Sequence, residues 1–210
     1  MFKWTRLLEV FYNFLVHEES YLKVTGFSKS AKALKPIGTD GEPVPWMNYA
    51  AIDFLNERLN SNQSMFEYGS GYSTLFFAKR VKEVTSIEYD SSWFDFIGAT
   101  LNEQKNAEVK YYGLQEGYDN AISSEAKERK YDVILIDGRE RVKCAKNSFD
   151  FLSDNGVLIL DDSDRERYQE IYSFYKEKGF KKLIFTGLKP TGFRRYATTV
   201  FYRSNNCFEI

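Results

Sequence analysis

The chain has 210 residues, of which 43% are hydrophobic and 17% aromatic, so the composition suits one domain with a sizeable core and excludes a disordered chain. Its 29 Lys and Arg residues are balanced by 30 Asp and Glu residues, which disfavours nucleic acid as a partner because nucleic-acid-binding domains carry an excess of basic residues. No apolar run approaches the roughly 18 residues of a membrane-spanning helix, so we expect no integral membrane segment.

An amphipathic helix is predicted near the N-terminus. Its apolar residues recur at three- and four-residue spacing and are Leu7, Leu8, Phe11, Phe14 and Leu15. We expect this helix to pack on the core or on a second copy of the chain. A membrane-surface helix is the alternative, disfavoured because the polar face is not strongly basic. The same stretch lacks the unbroken apolar segment and the cleavage site of a signal peptide, so we expect a cytoplasmic protein.

A stretch rich in proline and glycine follows at residues 26–45 and predicts an extended loop. This loop divides the chain into an N-terminal helical arm and loop, residues 1–45, and a main domain, residues 46–210. We expect the arm to cover a substrate or to form the contact of a homodimer.

From residue 47 onward the sequence alternates between helical and strand-like segments. A helix is predicted around residues 50–59, and short apolar runs predict strands at residues 65–68, 84–88, 109–112, 131–136 and 157–160. Further helices are predicted at residues 91–102, 142–152 and 164–178. Strands that alternate with helices pair in parallel through right-handed crossovers, so these segments predict an α/β fold with helices on both faces of the sheet.

The last third of the chain departs from this alternation. Residues 180–186 and 198–203 are both strand-like, but only the 11 residues from 187 to 197 lie between them, including Pro190 and Gly192. A crossover helix does not fit into so short a segment, so the last strand should return antiparallel as a hairpin. The predicted sheet has seven strands, most of them parallel.

A glycine-containing turn follows the first predicted strand. Gly69 and Gly71 allow a tight turn and the close approach of an adenosyl ligand to the backbone, although Thr74 stands where the G-x-G-x-x-G pattern has its third glycine. The candidate cofactor-binding residues of this segment are Glu67, Gly69, Ser70, Gly71, Tyr72, Ser73 and Thr74. Such turns also use glycine for purely structural reasons, so the pattern needs support from the next strand.

That support comes from an acidic residue at the end of the second predicted strand. Glu88 lies 19 residues after Gly69, close to the spacing of about 20 residues at which an acid binds ribose hydroxyls. Its carboxylate can accept hydrogen bonds from both hydroxyls, and the adjacent Tyr89 is a second candidate cofactor contact. The alternative for Glu88 is a solvated acid at the end of a strand.

The segment Glu67-x-Gly69-x-Gly71, followed by Glu88, resembles motifs I and II of the class I S-adenosylmethionine-dependent methyltransferases. The resemblance covers about residues 46–203 and implies a Rossmann-like sheet of seven strands whose last strand is antiparallel. It also implies that the turn holds the methionine and ribose end of S-adenosylmethionine. The alternatives are a non-catalytic adenosyl-nucleotide-binding module and a nicotinamide-dependent oxidoreductase.

Acidic residues also follow the fourth and fifth predicted strands. Asp137, Asp161 and Asp162 lie at carboxyl ends of parallel strands, where ligands bind, and are candidate general bases for an acceptor hydroxyl. Asp137 is also a candidate cofactor contact.

This acidic pattern resembles the catechol-type O-methyltransferases, whose magnesium is held by an Asp and an Asp-Asn pair. Asp162 stands in place of that Asn, and Glu140 stands in place of the catalytic Lys, so magnesium is disfavoured and no metal ligand is predicted. A zinc site is disfavoured too, since the chain has one His and only two distant cysteines, Cys144 and Cys207, which we expect to be reduced thiols.

Basic residues lie in segments expected at the same edge of the sheet, in the last hairpin loop and after the fourth strand. The candidate substrate-binding residues are Trp46, Arg139, Arg141, Lys189, Arg194 and Arg195. Guanidinium groups bind carboxylates and phosphates through paired hydrogen bonds, so these residues predict a small anionic acceptor such as a sugar acid. A solvated hairpin tip is the alternative. The sequence thus predicts an enzyme that transfers a methyl group to a small molecule, at a hydroxyl.

Overall fold

The computed structural model describes residues 2–101 and 104–210. The strands in this part of the chain are β1 (Ser64–Tyr68), β2 (Glu83–Glu88), β3 (Ala107–Tyr111), β4 (Tyr131–Ile136), β5 (Leu152–Leu160), β6 (Lys181–Gly187) and β7 (Tyr196–Tyr202). Its α-helices are α1 (Phe2–Val16), α2 (Tyr21–Val24), α3 (Phe27–Ala33), α4 (Tyr49–Arg58), α5 (Tyr72–Ala78), α6 (Ser91–Thr100), α7 (Ala121–Ala126), α8 (Arg141–Asn147) and α9 (Gln169–Glu177). Short 3₁₀ helices occupy Tyr118–Asn120, Phe149–Phe151 and Glu166–Tyr168.

The described strands form one sheet in the order β3-β2-β1-β4-β5-β7-β6. Strands β1 to β5 are parallel, whereas β7 is antiparallel to both of its neighbours, β5 and β6. The mostly parallel α/β sheet with its antiparallel last strand is therefore confirmed. The sequence did not indicate that β7 inserts between β5 and β6, because an apolar run predicts a strand without predicting its neighbour.

The chain reverses its direction across the sheet between β1 and β4. Strands β2 and β3 lie on one side of β1, and β4 and the later strands lie on the other. The backbone N–H of Asp137 donates to the carbonyl of Tyr68 (2.9 Å), and that of Gly69 donates to the carbonyl of Ile87 (2.9 Å). Such a reversal opens a crevice at the carboxyl ends of the strands, and here it brings the loops after β1, β2 and β4 together.

Apolar residues cover both faces of the sheet. On one face, Ile134 and Leu158 belong to a core that includes residues of α7, α8 and α9. On the other face, Leu135 and Ile159 belong to a core that includes residues of α4 and α5. Strand segments that are buried on both faces are apolar, which is why Val133–Ile136 of β4 and Val157–Leu160 of β5 form continuous apolar runs in the sequence. Helices on both faces are thereby confirmed.

The predicted extended loop at residues 26–45 is wrong in its first half, which contains α3. Gly26 precedes this helix with a left-handed φ of +80°, and Pro36 follows it. The turn-forming residues therefore bound a short helix, and the intervening FSKSAKA segment has no glycine or proline to prevent helix formation.

Two predicted helices are shorter than expected. The helix predicted at residues 142–152 ends at Asn147, and β5 begins at Leu152. The helix predicted at residues 164–178 is α-helical only from Gln169, after a 3₁₀ turn. Helix α6 matches the prediction at residues 91–102 as far as Thr100, and residue 102 lies outside the described residues.

Helix α1 is confirmed as a helix, but the prediction that it packs on the core is wrong. Its large apolar side chains from Trp4 to Val16 have 43–73% of their surface exposed. An isolated helix of this length is only marginally stable in water, so we expect its apolar face to be covered by another surface. The dimer contact and the substrate cover stay predictions for the arm. Within the described ranges, no α-helix combines the length and the apolar character needed to cross a bilayer.

Two glycines let the loops after β1 and β4 touch each other. Gly69 has a φ of +95°, and a Cβ built on it would lie 2.9 Å from the Cα of Gly138. A Cβ on Gly138 would lie 1.8 Å from the hydroxyl of Tyr118 and 3.1 Å from the nitrogen of Gly69. Backbone atoms of the facing loop and the hydroxyl of Tyr118 thus occupy the space that side chains would need.

We expect Gly138→Ala to lower the free energy of unfolding by about 1–3 kcal/mol, the usual cost of overpacking, because the added methyl collides with the Tyr118 hydroxyl. Urea denaturation measures the loss. Tyr118→Phe removes the colliding oxygen, so the double variant should recover part of the stability. Gly98→Ala in α6, where a Cβ meets nothing within 4 Å, is the matched control. If the stability lost in the double variant equals the sum of the losses in the two single variants, the proposed clash is contradicted.

Candidate functional site

A cleft of about 1240 Å³ lies at the carboxyl ends of β1, β2 and β4. The predicted cofactor-binding residues that line it are Gly69, Ser70, Gly71, Tyr72, Ser73, Glu88, Tyr89 and Asp137. Glu67 and Thr74 are buried and are not among the lining residues. Pro36 and Trp46, which lie between α3 and α4, also line the cleft. The volume is that of a cleft able to hold a nucleotide-sized ligand together with a small acceptor.

Glu67 supports the glycine turn from the interior. Its carboxylate accepts hydrogen bonds from the hydroxyls of Ser73, Thr74 (2.6 Å) and Ser86 (2.5 Å). The Thr74 hydroxyl also accepts a hydrogen bond from the backbone N–H of Gly71 (3.0 Å). Burial raises the pKa of Glu67 to about 7, although the three hydroxyl donors act in the opposite direction. Thr74 thus replaces the third glycine of the motif with a hydroxyl that ties the start of α5 to Glu67.

The two glycines of the turn differ in what they require. Gly69 has a positive φ and therefore makes the tight turn. Gly71 has a φ of 169°, an extended conformation open to any residue, and the nearest atom to a Cβ built there is 3.8 Å away on Trp93. Nothing in the chain itself restricts residue 71 to glycine, so the close approach of a ligand to Gly71 stays a prediction.

Glu88 organises the turn as well as lining the cleft. One carboxylate oxygen accepts from the backbone N–H and the hydroxyl of Ser70 (both 3.1 Å), and the other accepts from the backbone N–H groups of Tyr89 (2.8 Å) and Asp90 (2.9 Å). A carboxylate has about four acceptor positions, so all of them are in use. A ribose hydroxyl reaching Glu88 would replace the Ser70 hydroxyl, which can rotate away.

An aromatic wall of the cleft lies beside the turn. The indole N–H of Trp93 donates to the carbonyl of Ser70 (2.8 Å), and its ring lies 6.4 Å from that of Tyr72. The Asp90 side chain caps α6 by accepting from the backbone N–H of Trp93 (2.9 Å). Leu114 adds an apolar side chain to the lining. Tyr72 was predicted as a cofactor contact, and Trp93 extends the same wall of the cleft.

Asp137 is the acid after β4 that faces the cleft, with 21% of its side chain exposed. Its Oδ1 lies 2.8 Å from Nη2 of Arg141. The Arg141 guanidinium also donates to the carbonyls of Gly138 (2.9 Å), Asp137 (2.7 Å) and Asp161 (2.5 Å). Arg141 lines the cleft, but its donors are bound to the protein, so it fixes the ends of β4 and β5.

Asp161 and Asp162 lie beside the cleft without lining it. The buried Asp161 accepts a hydrogen bond from the hydroxyl of Thr198 (2.6 Å). Asp162, with a left-handed φ of 48°, forms ion pairs with Lys189 (3.1 Å) and Arg165. The three aspartates therefore converge as expected, but only Asp137 faces the open cleft.

The environments of the three aspartates separate their pKa values. Burial raises the pKa of Asp137 to about 6, although Arg141 and Lys189 act in the opposite direction. Burial and the neighbouring charges of Asp137 and Asp162 raise the pKa of Asp161 to about 8. Burial would raise the pKa of Asp162, but Lys189 and Arg165 hold it below its ordinary value.

These contacts do not suit magnesium. The Asp162 carboxylate is neutralised by two cations, and the Asp161 carboxyl is bound to Thr198. Among residues 2–101 and 104–210, no group of three or more His, Cys, Asp or Glu side chains is arranged to hold a metal ion.

Three of the predicted substrate-binding cations lie outside the cleft lining, namely Lys189, Arg194 and Arg195. Lys189 is bound to Asp162, and Arg194 is paired with Asp164 (3.1 Å) and lies over the ring of Tyr196. Two acids that precede α9, Asp162 and Asp164, thus neutralise two of these cations. The sequence did not predict this pairing. Trp46, Arg139 and Arg141 do line the cleft.

Four cations that were not predicted from the sequence also line the cleft. They are Lys143, Lys146, Arg165 and Arg167. Two of them lie on α8 and two in the segment between β5 and α9. The signal was available, since both segments follow the carboxyl ends of parallel strands, where ligand-binding loops are expected.

We expect the unfolding free energy of wild type, relative to that of Asp161→Asn, to fall as pH rises from about 5 to about 8. A folded-state pKa of about 8 exceeds the ordinary value near 4, so the folded protein holds an extra proton across this window. The resulting stabilisation is present at low pH and is lost as pH approaches 8. Urea denaturation across the range measures it, with the exposed Asp154→Asn as control. A constant difference would show that Asp161 is ionised throughout.

No protein-family model matches the chain, and no curated protein sequence matches it. Solved structures do resemble it. A putative O-methyltransferase from Klebsiella pneumoniae is 13% identical, covers 94% of this chain and 96% of its own, and has a TM-score of 0.56. A putative methyltransferase from Streptococcus mutans in complex with SAH is 16% identical, covers 71% of this chain and 94% of its own, and has a TM-score of 0.55.

An rRNA methylase from Streptococcus thermophilus is 15% identical, covers 72% of this chain and 93% of its own, and has a TM-score of 0.55. At these identities the similarity concerns the fold, and these proteins differ in what they are described as methylating. The chain has the fold of the class I S-adenosylmethionine-dependent methyltransferases.

Proposed function

We propose that the protein is an S-adenosylmethionine-dependent methyltransferase that methylates a hydroxyl group of a small anionic molecule. The observation that supports this most directly is the convergence of Gly69, Gly71, Glu88 and Asp137 on one cleft. That cleft lies at the β1/β4 reversal of a class I methyltransferase fold, where ligands of open α/β sheets bind.

The lining suits S-adenosylmethionine in shape and in charge. Gly71 leaves the backbone accessible, and Trp93, Tyr72 and Leu114 offer apolar surface for a planar base. The carboxylates of Glu88 and Asp137 face a ligand that carries hydroxyls, an ammonium group and a sulfonium group. Opposite charges attract strongly in a cleft with low-dielectric walls.

S-adenosylmethionine would supply the electrophilic methyl group. In the proposed mechanism Asp137 accepts the proton of the acceptor hydroxyl, because it directly follows β4 and faces the cleft. Arg141 fixes the orientation of Asp137 through their 2.8 Å ion pair and its bonds to neighbouring carbonyls. A carboxyl whose pKa is raised toward neutrality is a stronger base than an ordinary Asp. The remaining requirement is alignment of the acceptor oxygen with the methyl group.

Calorimetry with S-adenosylmethionine and with NAD tests the cofactor. We expect S-adenosylmethionine to bind and NAD not to bind, and Glu88→Ala to weaken binding by about 1.5–3 kcal/mol, the usual value for hydrogen bonds to a charged group. Glu83→Ala, at the opposite end of β2, is the matched control and should bind normally. Preferential binding of NAD would favour an oxidoreductase. Full affinity in a folded Glu88→Ala variant would remove Glu88 from the cofactor site.

Asp137→Asn separates the two roles assigned to Asp137. As a general base, Asp137 should support turnover that rises as pH rises through its pKa of about 6, and the variant should lose about 10²-fold in kcat with that pH dependence. Calorimetry should show S-adenosylmethionine affinity within about threefold of wild type. A tenfold loss of affinity instead would make Asp137 a ligand of the cofactor. Asp95→Asn, on the exposed face of α6, is the control.

A further inference from the structure

The two halves of the cleft differ in the charged residues that line them. The half next to the glycine turn contains the acids Glu88, Asp90 and Asp137, together with Arg141, which is paired with Asp137. The other half, called the basic half below, contains the cations Lys143, Lys146, Arg165 and Arg167 and the acids Glu140 and Glu170. The acids beside the glycine turn suit a cofactor with cationic groups.

Most cations of the basic half are neutralised by a neighbouring acid. The pairs are Lys143 with Glu140, Lys146 with Glu170, and Arg165 with Asp162. Arg167 differs from the other cations of the basic half, because no carboxylate of residues 2–101 and 104–210 forms an ion pair with it. Arg139 also lines the cleft without such an ion pair, but its Nε donates to the hydroxyl of Tyr89 (3.0 Å) on the other side of the cleft. A guanidinium that lines a cleft and has no acidic partner is available to a ligand.

Arg167 is held in position by an aromatic side chain. Its Nη2 donates to the hydroxyl of Tyr168 (3.0 Å), and its Cζ lies 5.0 Å from the centroid of the Tyr168 ring. The buried Tyr168 ring also lies 5.8 Å from Cζ of Arg141, which is paired with Asp137. Arg167 is thus connected to Asp137 through two intervening side chains, and its other N–H donors remain available to the cleft.

We infer that the methyl acceptor carries a carboxylate or phosphate group and that Arg167 binds this oxyanion while the acceptor hydroxyl lies at Asp137. The inference rests on the proposed methyltransferase function and names the substrate class and a residue that recognises it. Guanidinium groups bind both oxyanions through paired hydrogen bonds. Arg139, whose Cζ lies 5.4 Å from the Tyr89 ring, adds positive charge from the other side of the cleft.

Binding of matched probes to the protein saturated with S-adenosylhomocysteine tests the inference without knowledge of the natural acceptor. The probes are glucuronate, glucose 6-phosphate and neutral glucose, measured by calorimetry. At least one anionic probe should bind about tenfold or more tightly than glucose, and the stronger of the two identifies the oxyanion. Arg167→Ala should abolish that preference, and Arg167→Lys should restore it only in part because the paired geometry is lost.

Arg194→Ala is the matched control, since this cation is paired with Asp164 outside the cleft lining, and it should keep the full preference. Equal binding of the charged and neutral probes by wild type would overturn the inference, as would a preference that survives in Arg167→Ala. S-adenosylhomocysteine binding is measured first in every variant. Its absence in wild type would instead refute the proposed function, so the two failures are distinguishable.

Discussion

The loops after β1 and β4 approach so closely that backbone atoms of Gly138 occupy the space a side chain on Gly69 would need. This contact depends on the parallel pairing of β1 with β4, and it brings the glycine turn beside Asp137. The hydroxyl of Tyr118 closes the contact from the side. The proposed cofactor and acceptor sites share one cleft because these two loops meet.

A second constraint is the neutralisation of charge at the ends of β4 and β5. The buried Arg141 bonds to four oxygens of Asp137, Gly138 and Asp161, and it orients Asp137 at the wall of the cleft. Its charge acts against the rise in the pKa of Asp137 that burial causes. Lys189 and Arg165 neutralise Asp162 on the adjoining strand end. Breaking such a buried set by removing one partner leaves an uncompensated charge, so these cations serve the structure before any ligand binds.

The sequence predicted what depends on local patterns. Apolar runs identified the strands, the short segment before Thr198 identified the hairpin, and the spacing from Gly69 to Glu88 identified two residues of one cleft. Whether a cation meets a ligand or an acid depends instead on neighbours distant in the chain. Arg141 and Arg194 were therefore assigned to a substrate although both are paired within the protein.

A crystal structure of the protein with S-adenosylhomocysteine tests whether the cleft is the cofactor site. We expect the ligand in the cleft, in contact with the backbone at Gly71, with its ribose hydroxyls within about 3.2 Å of Glu88 and the Ser70 hydroxyl displaced. The sulfur should lie beside Asp137 and face the basic half of the cleft that holds Arg167. A ligand bound elsewhere, or one whose ribose lies away from Glu88 with the Ser70 contact intact, would show that Glu88 and the glycine turn do not form the cofactor site.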